Sequence, residues 1–361
     1  MSKVIILGAG SSKDCGFPLG NEVWQYLNYY DANGSTWYNF MNNIFPQFSA
    51  KYAPYPTFEL TLTLIDNYIK NRQNLGNYPE SELIKIKQSL VNSYREIFYM
   101  RCLYAEYQHS DYSLMSDAQE VYENFNQWYE PFFKQIIKKN NDIVFISLNY
   151  DVLIDIVLSN MADKNEIQDF TYGFDVYRLD KQNEQYRKGG TLLLKPHGSL
   201  NLAQCLKCNK VYAPSFSAQG VDGLIQDNGY KCKDCNDNLY TLILPPMFNK
   251  NDKDNPYVSI NQKIIEVLSE ATEILIIGYS LPDYDFNILE AFLNGSIKNN
   301  NRFKLEIKII DKNENNSYIN LKYKYDNIFH RIAKENYFIE GFKNYAMRFL
   351  NLNNNKVVIQ N

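Results

Sequence analysis

The chain has 361 residues, 45% apolar and 22% charged, enough for a full hydrophobic core plus a second small domain, which excludes disordered and fibrous classes. Its 37 Lys and Arg against 41 Asp and Glu give a formal charge of −4, without the basic excess of a nucleic-acid surface, so nucleic acid is not indicated as a partner. No window approaches the ~18 to 20 unbroken apolar residues of a membrane span, and Met1-Ser2-Lys3 runs into a strand-like segment rather than a signal peptide, so a cytoplasmic protein is expected.

Residues 3–7 (K-V-I-I-L) form a continuous β-rich run ending in Gly8-Ala9-Gly10, the pattern of a buried parallel strand that delivers a glycine turn. A helix is predicted over 20–29. Helical periodicity then dominates 36–139, most clearly at 58–70, 81–98 and 121–129, which reads as a long helical insertion between strands. Strand signals return at 143–148, 191–195, 239–244, 273–277 and 305–310, mostly with helical segments between them, so the fold class is α/β with a parallel sheet covered on both faces. This sheet domain is assembled from 1–35, 140–200 and 240–315. Residues 202–238 break the rhythm with glycines, polar residues and paired cysteines, and read as a small inserted module. The tail, 316–361, is predicted helical, with an amphipathic helix over 330–350.

Four of the six cysteines fall into C-L-K-C (Cys205, Cys208) and C-K-D-C (Cys232, Cys235), with 23 residues between the pairs. Two such knuckles bring four thiolates together at tetrahedral spacing, and Zn²⁺ is the metal that an all-sulfur set favours. With no open position indicated, the zinc is expected to be structural, in a zinc-ribbon module; a redox pair or accidental spacing is the alternative.

The remaining motifs sit where predicted strands end, and side chains there face the crevice in which α/β sheets bind ligands. Gly8 and Gly10 follow the first strand and allow backbone to approach a pyrophosphate, although the next glycine is Gly16 and the spacing is not G-x-G-x-x-G. In S-L-N-Y-D-V-L, Asn149 and Asp151 supply an amide and a carboxylate for an amide-bearing ligand; the alternative is an Asx turn capping a helix that starts near Val152. His197, in K-P-H-G-S-L-N, is the only one of the three histidines placed at a strand's carboxyl end. Gly278 and Ser280 follow the 273–277 strand, and Asp311 and Asn313 follow the 305–310 strand. These small and acidic groups suit a dinucleotide's phosphates and ribose, and the alternative is ordinary loop chemistry between strands.

Taken in order, G-A-G-S-S, S-L-N-Y-D, K-P-H-G-S-L-N, the paired C-x-x-C and G-Y-S-L-P resemble the sirtuin family, and more closely its bacterial sirtuin-like, NAD-consuming branch, over about residues 4–313. The resemblance implies a Rossmann-like NAD-binding sheet with a zinc module, NAD⁺ held between them, and scission of the nicotinamide–ribose bond. Carried onto this chain, Gly8, Ala9, Gly10 and Ser11 match the pyrophosphate loop, and Asn149 with Asp151 the nicotinamide pocket. His197 matches the catalytic histidine, a neutral general base on the nicotinamide ribose. Gly278 and Ser280 match a second phosphate contact, and Asp311 with Asn313 the adenosine site.

The departures are equally specific. Where protein-deacylating sirtuins carry a G-I-P-D-F-R-like segment, this chain has Gly16-Phe17-Pro18 followed by Leu19-Gly20, which leaves an arginine's role unassigned. Where deacylases have an F-G-E-like strand that pairs with the acyl-lysine peptide, this chain has L-I-L-P-P-M-F-N-K, and Pro245 and Pro246 lack the N–H donors such pairing uses. The resemblance therefore implies an NAD⁺ glycohydrolase releasing nicotinamide and ADP-ribose. By the same resemblance it is a gated anti-phage defence effector, acting with a homo-oligomeric or ATPase/effector partner and nearly silent until triggered. An NAD-dependent deacylase, or an NAD⁺ or ADP-ribose sensor without catalysis, are the alternatives.

Overall fold

The computed structural model describes residues 2–20, 22–31, 36–48, 56–106, 118–140, 142–179, 184–213, 230–244, 258–312 and 317–350. Eleven strands among them are β1 (Ser2–Leu7), β2 (Ile143–Ser147), β3 (Phe170–Thr171), β4 (Val176–Arg178), β5 (Thr191–Leu194), β6 (Gly198–Cys205), β7 (Val211–Ala213), β8 (Leu239–Ile243), β9 (Ala271–Ile277), β10 (Glu306–Ile310) and β11 (Tyr337–Phe338). Seven of them form one sheet in the order β11-β10-β9-β1-β2-β5-β3, every pairing parallel. The central strands are apolar along their length because both faces are covered: Val4, Ile5, Ile6 and Leu7 of β1 are at most 1% exposed. From β1 the chain passes on one side to β2, then to the edge at β3 and back between them for β5, before crossing to the other side for β9 and β10. A strand order that reverses beside β1 opens a crevice at the carboxyl ends of β1 and β9.

The helices are α1 (Gly10–Lys13), α2 (Val23–Asp31), α3 (Thr36–Ile44), α4 (Phe58–Lys70), α5 (Glu80–Glu106), α6 (Ala118–Asn124), α7 (Glu130–Lys139), α8 (Leu153–Asp163), α9 (Val258–Glu270), α10 (Phe286–Lys298), α11 (Ser317–Ile328) and α12 (Phe342–Phe349). The crossover from β1 to its parallel neighbour β2 carries α1 to α7, and α4 coincides with the 58–70 expectation. Thr57 caps α4 by accepting the Leu60 N–H, and Phe58, Leu62 and Ile65 form its buried stripe. In α5, Leu83, Ile86, Leu90, Tyr94 and Phe98 recur at helical spacing and are buried. Rings carry the insertion into the sheet domain: Phe58 stacks on Tyr94 at 4.5 Å, and Tyr94 meets Tyr150, just past β2, edge-on at 5.7 Å.

A second sheet, β4-β7-β6-β8, carries the cysteines. Strand β8 departs from expectation: its residues pair antiparallel with β6 rather than joining the parallel sheet, because the two cysteine knuckles fold the chain back on itself. The C-terminal segment also differs. Tyr337–Phe338 adds an edge strand beside β10, and the helix expected over 330–350 is confined to α12, starting after Gly341. Among the described residues, no helix is long and apolar enough to cross a membrane. Asn313, Pro245 and Pro246 lie outside the described residues.

Candidate active site

A cavity of about 500 Å³ lies at the carboxyl ends of the parallel strands. Each neighbouring strand delivers its following residues to it: Gly8, Ala9 and Gly10 after β1, Asn149 and Asp151 after β2, His197 after β5, Gly278 and Ser280 after β9, and Asp311 after β10. Ser11 does not line it; its side chain is buried and donates to the Gly8 carbonyl at 2.7 Å. Ser12, which sequence reasoning passed over, lines the cavity instead.

The two glycine turns are packed on each other. The Gly10 N–H donates to the Gly278 carbonyl at 2.9 Å and the Gly8 N–H to Ile277 at 2.9 Å. A Cβ on Gly278, whose φ is +61°, would fall 2.3 Å from the Gly10 carbonyl carbon, so this contact requires glycine. The backbone donors expected to face a pyrophosphate therefore brace the loops in this state, and α1 is a single turn.

Asn149 is bound into the same loop. Its Nδ2 lies 3.0 Å from the Gly8 carbonyl, 3.2 Å from Ser11 Oγ and 3.1 Å from Ser12 Oγ. Asp151 accepts from Ser12 Oγ at 2.8 Å and from the Leu153 N–H at 3.1 Å. The second contact is the Asx turn at the start of α8, so Asp151 both begins that helix and lines the cavity. Burial pushes the Asp151 carboxyl above its ordinary value, against the opposing pull of Lys195 and the hydrogen bonds.

Beneath Asp151 lies a fully buried ion pair. Lys195 Nζ is 3.0 Å from Asp155 Oδ2 and donates to the Asp151 carbonyl at 2.5 Å, with both side chains 0% exposed. Asp155 Oδ1 accepts from Tyr172 OH at 2.6 Å and Asn201 Nδ2 at 3.2 Å. Unlike a surface pair, this network fixes the backbone of the Asn149–Asp151 segment from below.

The structure gives both ring nitrogens of His197 a partner. Nδ1 lies 2.9 Å from the Leu148 carbonyl and Nε2 3.1 Å from Asp285. A carbonyl only accepts, so Nδ1 carries a proton and Nε2 is the nitrogen turned to the carboxylate. Tyr279 OH donates to Asp285 Oδ2 at 2.7 Å. Asp285 occupies the N-cap position of α10 and its carbonyl accepts the Leu289 N–H, but its carboxylate makes no cap and is turned to His197 and Tyr279. That diversion escaped sequence reasoning, since an acid before a helix ordinarily caps it. Glu59 of α4 and Tyr94 of α5 also line the cavity and were not singled out from the sequence.

The four cysteines converge away from these groups. Their Sγ atoms all lie within 4.8 Å of one another, with Cys205–Cys235 at 3.3 Å and Cys208–Cys232 at 3.4 Å. Tetrahedral Zn–S bonds of roughly 2.3 Å place sulfurs roughly 3.8 Å apart, so the set fits structural Zn²⁺. Each knuckle ends in an asparagine in the left-handed region, Asn209 at φ +61° and Asn236 at +57°, a conformation asparagine tolerates. The cluster has no place in the cavity's chemistry.

Solved sirtuin structures are similar to this chain. Sir2Tm bound to a propionylated peptide aligns with 98% of this chain and 93% of its own, at 12% identity and a TM-score of 0.44. A mutant Sir2 homologue in complex with 2′-O-acetyl ADP ribose aligns with 100% and 95%, at 13% identity and a TM-score of 0.45. A complex of Sir2 with a p53 peptide and NAD⁺ aligns with 98% and 93%, at 13% identity and 0.43. No family model matches the sequence, and no curated protein is similar to it in sequence.

Proposed function

We propose that this chain is an NAD⁺ glycohydrolase that cleaves the nicotinamide–ribose bond with water as acceptor. The observation that carries the reading is the convergence of Asn149, Asp151 and the doubly held His197 with both strand-end glycine turns on one cavity. In this reading the pyrophosphate runs along the Gly8–Gly10 and Gly278–Ser280 turns, the adenosine ribose reaches Asp311, and the nicotinamide ribose lies against His197. As the bond breaks, its electron pair moves onto the pyridinium ring, which leaves neutral, and positive charge develops on the ribose. Carboxylates fixed around that position, Asp151 and Asp285 among them, stabilise the charge without reorganising. His197, held from both sides, orients the ribose. The defence role, the gating and a homo-oligomeric or ATPase/effector partner rest on the motif resemblance.

The test is nicotinamide release from NAD⁺ by the purified chain, with and without an acyl-lysine peptide, beside His197→Ala. Peptide-independent release, lost in the variant, is expected. Release only with peptide makes the enzyme a deacylase, and binding without release under enzyme excess makes it a sensor.

A further inference from the structure

Glu59 comes to the cavity from the helical insertion, not from the sheet. Its oxygens sit against Gly20, where a Cβ would lie 3.1 Å from Oε1 and 3.3 Å from Oε2. Around the carboxylate stand Thr57 on its own helix, Tyr94 of α5, Tyr150 after β2, His197 after β5, and Tyr284 and Asp285 before α10. No lysine or arginine belongs to that group. Oε2 is shut off from solvent and has no hydrogen-bond partner among the described residues. An acid in the first turn of a helix ordinarily complements the helix dipole from an exposed position, and Thr57 already caps α4. A carboxylate shut into a cavity with an unmet acceptor has a different use.

The proposed hydrolysis needs a base for water, and both ring nitrogens of His197 are already engaged, Nδ1 with the Leu148 carbonyl and Nε2 with Asp285. We propose that Glu59 is the general base for the attacking water, so that the helical insertion supplies a catalytic residue to the site on the sheet. The inference rests on the NAD⁺-cleaving reading and replaces His197 in the role of base. The water oxygen bonds to C1′ of the ribose while the C1′–N bond breaks and its electron pair leaves with neutral nicotinamide. Glu59 takes one water proton and passes it to solvent, so NAD⁺ and water give nicotinamide, ADP-ribose and a proton. Burial raises the Glu59 carboxyl above its ordinary value, against hydrogen bonds from its own backbone and Thr57 and the pull of His197, with Asp285 adding to the rise.

The experiment follows nicotinamide release from NAD⁺ with enzyme in excess, for the full-length wild type, Glu59→Gln and Glu59→Ala, with NAD⁺ binding read as thermal stabilisation. Glu59→Gln should lose roughly 10²- to 10⁴-fold in rate while still binding NAD⁺, together with the fall in rate at low pH. Azide needs no proton removed, so it should restore cleavage in Glu59→Ala, with ADP-ribosyl azide as product. Unchanged turnover in Glu59→Gln overturns the assignment and leaves the NAD⁺ reading standing. A slow Glu59→Ala that azide does not rescue, or a variant that no longer binds NAD⁺, makes Glu59 a binding or structural group instead. If the wild type binds or consumes no NAD⁺, the reading itself fails and the base with it.

Discussion

Lys195→Met tests the buried network beneath the site. The substitution keeps most of the side-chain volume but removes the charge that faces Asp155 and the donor to the Asp151 carbonyl, both inside a region with no solvent exposure. Asp155 is then a buried carboxylate whose remaining donors are Tyr172 and Asn201, and removing one member of a buried pair costs about 3–5 kcal/mol. With an unfolding entropy near 2.1 cal/mol/K per residue, that corresponds to a fall in Tm of roughly 4–7 °C for a chain of this length. Urea unfolding followed by circular dichroism gives the free energy. Adding Asp155→Asn to the variant removes the stranded charge and should recover more than half of the loss. A cost below about 1 kcal/mol, the range of an exposed pair, would refute the claim that this pair supports the Asn149–Asp151 segment.

The raised carboxyl of Glu59 has a consequence for stability as well as rate. A native-state value above the unfolded one means that the folded chain binds the extra proton, so its contribution to stability is complete below the ordinary value of 4.5 and is lost as pH rises through the native value. Glu59→Gln should therefore gain stability relative to wild type as pH increases across that window, and a difference curve that is flat in pH contradicts the burial argument. Cys232→Ser should release zinc and destabilise the β6–β8 module, which metal analysis and thermal unfolding measure together. Equal metal content in variant and wild type removes the four-sulfur site.

Much of the architecture was readable because its cause is local. A short β-branched apolar run such as Val4–Leu7 that ends in glycines reads as a strand buried on both faces, and the periodic residues of 58–70 bury a stripe as a helix. The spacing of Cys205, Cys208, Cys232 and Cys235 specified a four-sulfur cluster for the same reason, since each C-x-x-C turn aims its own two sulfurs. The motif order likewise named the strand-end groups that line the cavity. Tertiary structure alone decided which strand pairs with which: β8 is as strand-like as any sheet strand, but its partner is chosen by the fold-back of the cysteine knuckles, which no local pattern encodes.

The same division runs through the site. Its strand-end residues were legible because a glycine or small polar group after a buried strand has few other uses. Asp285 and Glu59 were not, because in sequence each is an acid at the start of a helix, where acids commonly sit for local reasons. Their meaning comes from what lies across the cavity: a histidine 88 positions away in one case, and tyrosines from α5 and the β2 turn in the other. The sequence determined where backbone turns and metal ligands fall, since these depend on neighbours along the chain. Which charges share the cavity was left to the folded chain, because burial and the approach of distant groups decide what a carboxylate does.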